Sequence, residues 1–412
     1  MAIVDHYEEI AHCNRCGFCQ AACPVFRSTG HEGGVARGRL ALLRALIENR
    51  IPWSAELEGP LYDCLLCGAC TSNCFPAIPT SEIVVRARAE YLQKVGRKSI
   101  HRLLFEKLLP YPRRLHLAAR TVALGKNSGM SRLAQALGLL RIFGRDFARA
   151  EAIVTRLPAQ PLRARFKPGV YPGQGARGRV AYYIGCGVDI VTQEAGEATL
   201  ALLRQGAREV HLLETNCCGL PAWSYGDLAA ARSLAAKNLA HIGAGGVDAV
   251  VTDCSSCASF IKHYPALFPA GDPLQDAALN AARRVLDVCE WASSETLRPS
   301  SDLRGRRVTF HDPCHLSRGQ GLAQRPREIL RRLPETDFVE LPEADWCCGG
   351  AGAYALSHYD LAMRVLDRKM DNLKKTGADL LVTTCPACII QLSHGVRRHG
   401  LSVEVRHLTE VL

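Results

Sequence analysis

Nineteen of the 412 residues are cysteine, and eighteen of them fall into four spaced groups. Cys13, Cys16, Cys19 and Cys23 form the first, and Cys64, Cys67, Cys70 and Cys74 the second. After a long cysteine-free stretch come Cys186, the pair Cys217-Cys218, and Cys254 with Cys257. The last group repeats that layout as Cys314, Cys347-Cys348, and Cys385 with Cys388, which leaves only Cys289 outside. Spacing this regular is not that of scattered core residues, and a reducing cytosol would not keep such thiols as disulfides. They read as metal ligands.

The two later groups are copies of one design. Thirty residues separate Cys186 from Cys217 and 35 separate Cys218 from Cys254; in the second copy the gaps are 32 and 36. Matching cysteines stay 128 to 131 residues apart, too long and too few for a solenoid, so a duplicated domain is expected. Its elements alternate. The first copy predicts strands at 179–184, 209–213 and 247–251 with helices at 192–205 and 227–242 between them. The second predicts strands at 307–310, 338–341 and 380–383. Such alternation gives an α/β fold with parallel sheets covered by helices. Ligands of these sheets gather beyond the carboxyl ends of strands. Each cysteine of a copy follows a strand end, so the five are expected to converge.

The first hundred residues differ. Helices are expected at 36–47 and 81–95, around the two N-terminal motifs. The expected organisation is therefore a small helical module at 1–96, a basic helical segment and linker at 97–178, and repeats at 179–300 and 301–412.

Cys-x2-Cys-x2-Cys-x3-Cys followed by proline is the spacing of a cubane [4Fe–4S] site, and in two-cluster modules the fourth cysteine crosses to the other cluster. Cys13, Cys16, Cys19 and Cys74 then hold one cluster, and Cys64, Cys67, Cys70 and Cys23 the other. The second motif ends Cys74-Phe75-Pro76, a minor departure. Zinc is the alternative, but it takes four tetrahedral thiolates and not triplets with a distant fourth. Five cysteines per repeat exceed the needs of one cubane or one zinc, and a larger or opened iron–sulfur cluster would use them all.

With these motifs in view, the whole chain resembles the iron–sulfur subunit of bacterial glycolate oxidase and its relatives in D-lactate and anaerobic glycerol-3-phosphate dehydrogenases. The tandem cysteine motifs carry the resemblance, with Gly34-Val35-Ala36-Arg37-Gly38-Arg39, Asn216-Cys217-Cys218-Gly219, His311-Asp312-Pro313-Cys314-His315 and Trp346-Cys347-Cys348-Gly349-Gly350. The repeats also resemble the B subunit of heterodisulfide reductase. That resemblance implies noncubane [4Fe–4S] clusters, one on Cys186, Cys217, Cys218, Cys254 and Cys257, another on Cys314, Cys347, Cys348, Cys385 and Cys388. The expected total is two cubanes with one or two further clusters, and the glycolate oxidase resemblance implies an FAD-containing partner that oxidises glycolate or D-lactate. The competing reading is a catalytic reductase that cleaves a disulfide at a noncubane cluster.

Charge adds a second clue. Net charge is +11, and residues 97–150 hold twelve Lys and Arg against Glu106 and Asp146. Their apolar residues (Leu103, Leu104, Leu108, Leu109, Leu133, Leu137, Leu139, Leu140, Ile142 and Phe143) suit core burial or docking on an anionic membrane or acidic partner. Without aromatic interleaving, nucleic-acid binding is not expected. No run reaches the ~18 apolar residues that span a bilayer, and the first six residues show no secretory signal, so a cytoplasmic protein is expected, with peripheral contact at the inner face of the membrane. Gly173-x-Gly175-x-x-Gly178 precedes a strand instead of following one and is set aside as a dinucleotide site. His311 and His315 are placed to donate to cluster sulfur or relay a proton, or are bonded to the strand-end backbone; Cys289 reads as a small buried hydrophobe.

Overall fold

The computed structural model describes residues 2–243, 246–292 and 303–412. β-Branched and aromatic residues form the buried parts of the strands, as at Val180, Tyr182, Val308 and Phe310, while charged residues begin several of them. The first sheet contains β1 (Gly169–Pro172), β2 (Arg177–Tyr182), β3 (Ala207–Leu212), β4 (Ala249–Thr252) and β5 (Val285–Asp287), in the order β1-β3-β2-β4-β5. The second contains β6 (Arg307–Phe310), β7 (Asp337–Phe338), β8 (Leu380–Thr383) and β9 (Glu404–His407), in the order β7-β6-β8-β9. All pairings are parallel except β1 with β3. Removing β1 leaves the same strand order in both sheets, as a duplication requires.

Several expected elements fall elsewhere. β1 lies within 158–178, which the Pro/Gly composition marks as linker, and β2 begins two residues before the expected repeat boundary at 179. Glycines make the connection from β1 to β2 fit against the start of β3: a Cβ on Gly173 would sit 1.9 Å from the Ala207 carbonyl oxygen, and one on Gly175 2.2 Å from that of Gly206. The glycine pattern serves a close backbone approach. The strand expected at 338–341 pairs only over Asp337–Phe338. The expected boundary at 300/301 lies outside the described residues.

One apolar core runs between the two sheets. It joins Val180, Tyr182 and Val251 of the first to Val308, Phe310, Leu380 and Val382 of the second. The repeats therefore share this core, to which helix residues such as Leu203 and Leu316 also contribute. The N-terminal helices, among them Ala36–Ile47 and Thr80–Lys94, have their own core of Leu40, Leu43, Ile83 and Tyr91. A further cluster, in which Cys23, Val25, Val35 and Leu65 meet Trp346, Cys347 and Val365, seats this module on the second repeat.

Helical structure in the basic segment breaks around Pro110, and Pro112 opens the helix Pro112–Asn127 at its first turn, where the missing N–H has no cost. Phe105 and Leu109 are buried against the first repeat. Leu103, Leu133, Leu137, Leu139, Ile142 and Phe143 are exposed, so six of the ten apolar residues compatible with a core face outward.

Candidate metal centres

The two N-terminal motifs share a backbone. Arg15 and Gly17 take left-handed φ of 54° and 89° around Cys16, and Leu66 and Gly68 take 52° and 72° around Cys67. Left-handed residues alternating with right-handed ones turn successive N–H groups into an anion-binding concavity. Cys23 then caps the helix Pro24–Thr29, its sulfur accepting from the Phe26 amide at 3.5 Å. Burial raises the Cys23 thiol, and the neighbouring Cys64 adds to the rise. Burial likewise lifts Cys70 to about 12, with Cys64, Cys67 and Cys23 contributing. Cys19 instead lies beside Cys13 as well as Cys23. Cys23 thus lies beside thiols of both motifs. Cys16 is exposed, as are the rings of Phe18 and Phe75.

Buried cations surround the inner of these sites. Arg88, 4% exposed, donates to the carbonyls of Leu61 and Cys64, both at 2.7 Å, and to that of Ser224 in the first repeat. Arg39, 2% exposed, donates to Pro60 O at 2.5 Å and faces Cys23. Neither has a carboxylate partner among the described residues. Cations so placed need an anionic centre nearby.

In the first repeat, Cys186 follows β2, Cys217-Cys218 follow β3, and Cys254 and Cys257 follow β4. β2 and β4 are adjacent strands whose connections leave in opposite directions, the crevice where such sheets bind ligands. Cys186 and Cys217 sulfurs lie 3.9 Å apart, and a Cβ on Gly185 would come within 3.1 Å of the Cys257 sulfur. Hydrogen bonds from Cys217 and Cys257 hold the Cys218 thiol down at about 5, while Cys254 and Cys257 are pushed well above the ordinary thiol range. The second repeat matches it. Cys348 and Cys388 sulfurs lie 3.5 Å apart, the amides of Gly349 and Gly350 donate to Cys347 and Cys348 at 3.4 Å each, and burial lifts Cys314 to about 12. Eight of the ten repeat cysteines are buried, and all nineteen cysteines are free thiols. Buried thiols in contact with one another, with His311 beside Cys348 and Cys388, fit a soft-metal centre such as iron–sulfur.

The glycine after each Cys-Cys pair is obligatory. Gly219 and Gly349 have φ of 101° and 82°, and a Cβ on Gly349 would lie 2.6 Å from the Ala362 carbonyl oxygen.

Histidines complete the second site. His311 is 1% exposed with Nδ1 unpartnered, and its ring lies within 4.8 Å of the Cys348 and Cys388 sulfurs. His315 Nδ1 lies 3.0 Å from Ser256 Oγ, and burial lowers its pKa. Cys289 is buried in the short helix Val288–Trp291, its amide donating to Asp287 at 3.1 Å.

The four sites adjoin one another. Cys67 lies close enough to Cys314 and Cys347 for their charges to raise one another, and Arg318 donates to Cys67 O at 3.4 Å from the helix that begins at Cys314. Between repeats, Cys254 hydrogen-bonds Cys385, and Ser256 Oγ lies 3.4 Å from the Cys385 sulfur. Ser255 bonds Thr384 through both amide and hydroxyl, at 3.0 and 2.7 Å. A continuous series results, from exposed Cys16 through the Cys23 site and the second repeat to the first.

Composition did not mark Arg318, Ser256, Arg163 or Lys369. Lys369 carried a signal: it falls on the stripe Ala362, Leu366, Leu373 of the helix Tyr359–Thr376, where an apolar residue is the rule. It is fully buried, and burial draws it down to about 8 against the pull of Cys348.

Geometry and donors define an iron–sulfur protein with paired cysteine-rich α/β repeats. Family models agree: a 4Fe–4S dicluster domain matches residues 9–78, a cysteine-rich domain matches 180–262 and 308–393, and the linker region of the glycolate oxidase iron–sulfur subunit matches 96–154. The chain is 30% identical to the probable glycolate oxidase iron–sulfur subunit of Bacillus subtilis, over 98% of its length and 93% of the relative's. It is 28% identical to the glycolate oxidase iron–sulfur subunit of Escherichia coli, over 97% and 92%. Lactate utilization protein A of Oceanobacillus iheyensis is 28% identical over 57% of this chain and 96% of its own. The chain belongs to the glycolate oxidase iron–sulfur subunit family.

Proposed function

We propose that this chain is the electron-transfer subunit of a flavin-dependent dehydrogenase of 2-hydroxy acids, glycolate or D-lactate, the substrate being oxidised on an FAD-containing partner. Bound iron–sulfur clusters would take up and release single electrons. The protein's part is to hold them: Cys13, Cys16, Cys19 and Cys74 for the outer cubane, Cys64, Cys67, Cys70 and Cys23 for the inner one. Cys186, Cys217, Cys218, Cys254 and Cys257 hold a further, noncubane cluster, and Cys314, Cys347, Cys348, Cys385 and Cys388 another. Contiguity of the four sites is the observation that carries this reading, because electron transfer needs adjacency and no substrate pocket.

Burial of eight repeat cysteines counts against a disulfide-cleaving reductase, whose substrate sulfur must reach the metal. Residues 97–150 supply the downstream contact, a peripheral one at a membrane or quinone-linked acceptor. Among the described residues, no helix is long and apolar enough to cross a membrane.

Anaerobic purification with natural partners tests the reading. A flavoprotein should co-purify, with roughly sixteen irons per chain if each site takes four. About eight irons would leave the repeats without clusters, and abundant zinc in the repeats would overturn their assignment.

A further inference from the structure

The repeats correspond position by position, so a difference between equivalent side chains is informative. Gly219 lies against Ala231 and Gly349 against Ala362, which makes these alanines equivalent. Seven residues further along each helix, a buried polar side chain reaches the Cys-Cys-Gly loop. In the first repeat it is Asn238, which accepts from the Asn216 amide at 2.9 Å and donates to Cys217 O at 3.0 Å. In the second it is Lys369, whose Nζ donates to Glu343 O at 2.5 Å and Ala344 O at 3.1 Å. One repeat has a neutral amide there; the other has a cation.

That cation is unmatched. Among the described residues Lys369 has no carboxylate within 4.0 Å, whereas Arg318 pairs with Asp345, Arg327 with Asp312 and Glu340, and Arg368 with Glu343. At the first site Arg163 is matched by Asp189, which also takes His116. A fully buried ammonium is costly unless an anion compensates it. Of the anionic groups that act on it, Asp345 and Asp312 are already paired with Arg318 and Arg327, which leaves Cys348, and after it Cys347, on the loop it supports.

We propose that Lys369 is a positioning residue for redox poise: its fixed cation favours the electron-loaded form of the second-repeat site. This rests on the reading that the second repeat holds an iron–sulfur cluster. The step concerned is uptake of one electron supplied by the hydroxy-acid dehydrogenation, with no bond made or broken. An adjacent cation in a low-dielectric site stabilises the added negative charge. The second site then has a higher midpoint potential than the first, and electrons arriving from the Cys67 side rest there.

Lys369→Gln and Lys369→Arg, purified anaerobically with their iron, test this by spectroscopically monitored redox titration. Lys369→Gln should move the second-repeat signal to a more negative midpoint and leave the first-repeat signal in place. Lys369→Arg, which keeps the charge, should titrate as wild type. Loss of second-repeat iron in Lys369→Gln alone would also support the proposal, since the anionic centre then needs the cation to fill. Equal shifts or equal iron loss in both variants would reduce Lys369 to a support for the loop carbonyls and overturn it. Full iron with an unshifted Lys369→Gln overturns the proposal alone; wild-type protein without second-repeat iron overturns the cluster reading with it.

Discussion

At the scale of single residues, the sites depend on a few backbone conformations that only one side chain permits. Gly349→Ala would force an L-residue to φ 82° with its Cβ 2.6 Å from a carbonyl oxygen. We expect it to cost about 1–3 kcal/mol and to release second-repeat iron, read by thermal melting and metal analysis. A titrating residue gives a separate check. Burial, helped by Glu194, raises the Glu410 carboxyl from 4.5 to about 7. The folded chain then holds that proton more tightly than the unfolded one, so this group's contribution to stability falls as pH rises from 4.5 towards 7. Glu410→Gln should track wild type near pH 4.5 and melt higher than wild type above pH 7; a constant offset across that range would refute it. The candidate ligands were legible in the sequence because iron–sulfur spacing is written in near neighbours. Arg39 and Arg88 were not, and Lys369 showed only as a break in an apolar stripe, since a buried cation is defined by what surrounds it, and those surroundings come from distant segments.

Among elements, the clearest test is the crossing of the fourth ligands. Cys74→Ser should alter the same spectroscopic signal as Cys16→Ser, and Cys23→Ser the same signal as Cys67→Ser. The opposite match would mean that each motif serves its own cluster. The helix Pro112–Asn127 and the turns after it form the other functional element. Of the twenty large apolar residues exposed among the described residues, thirteen fall in 97–150, including Leu117, Leu124, Ile142 and Phe143. Exposed basic residues stand among them, Arg113, Arg114, Arg120 and Arg132. Lys126 is different: it bridges Glu151 at 2.5 Å and is a structural residue. Replacing those four arginines with Gln should weaken sedimentation with anionic liposomes, each contributing about 1 kcal/mol, while iron stays intact. Wild-type binding should fade as salt shortens the Debye length from ~10 Å at 0.1 M to ~3 Å at 1 M. Unchanged sedimentation would leave the segment a solvated surface. The sequence showed the charge here but not the outward-facing leucines, because helical periodicity alone does not say which apolar face meets a core.

For the whole molecule, the duplication was readable from matched cysteine offsets, yet the way the copies meet was not. No spacing rule predicts that Ser256 of one repeat reaches Cys385 of the other, or that one apolar core serves both sheets. The same interlocking bears on how the protein is made. The eight buried repeat cysteines lie under packed helices, and Cys254 and Cys385 face each other across the seam between copies. On the proposed reading, iron and sulfide reach them before the halves close, whereas the Cys16 site stays open to the surroundings in the finished fold. Assembly would then run from the inside outward, and a cluster lost from the outer site would be the one replaced in place.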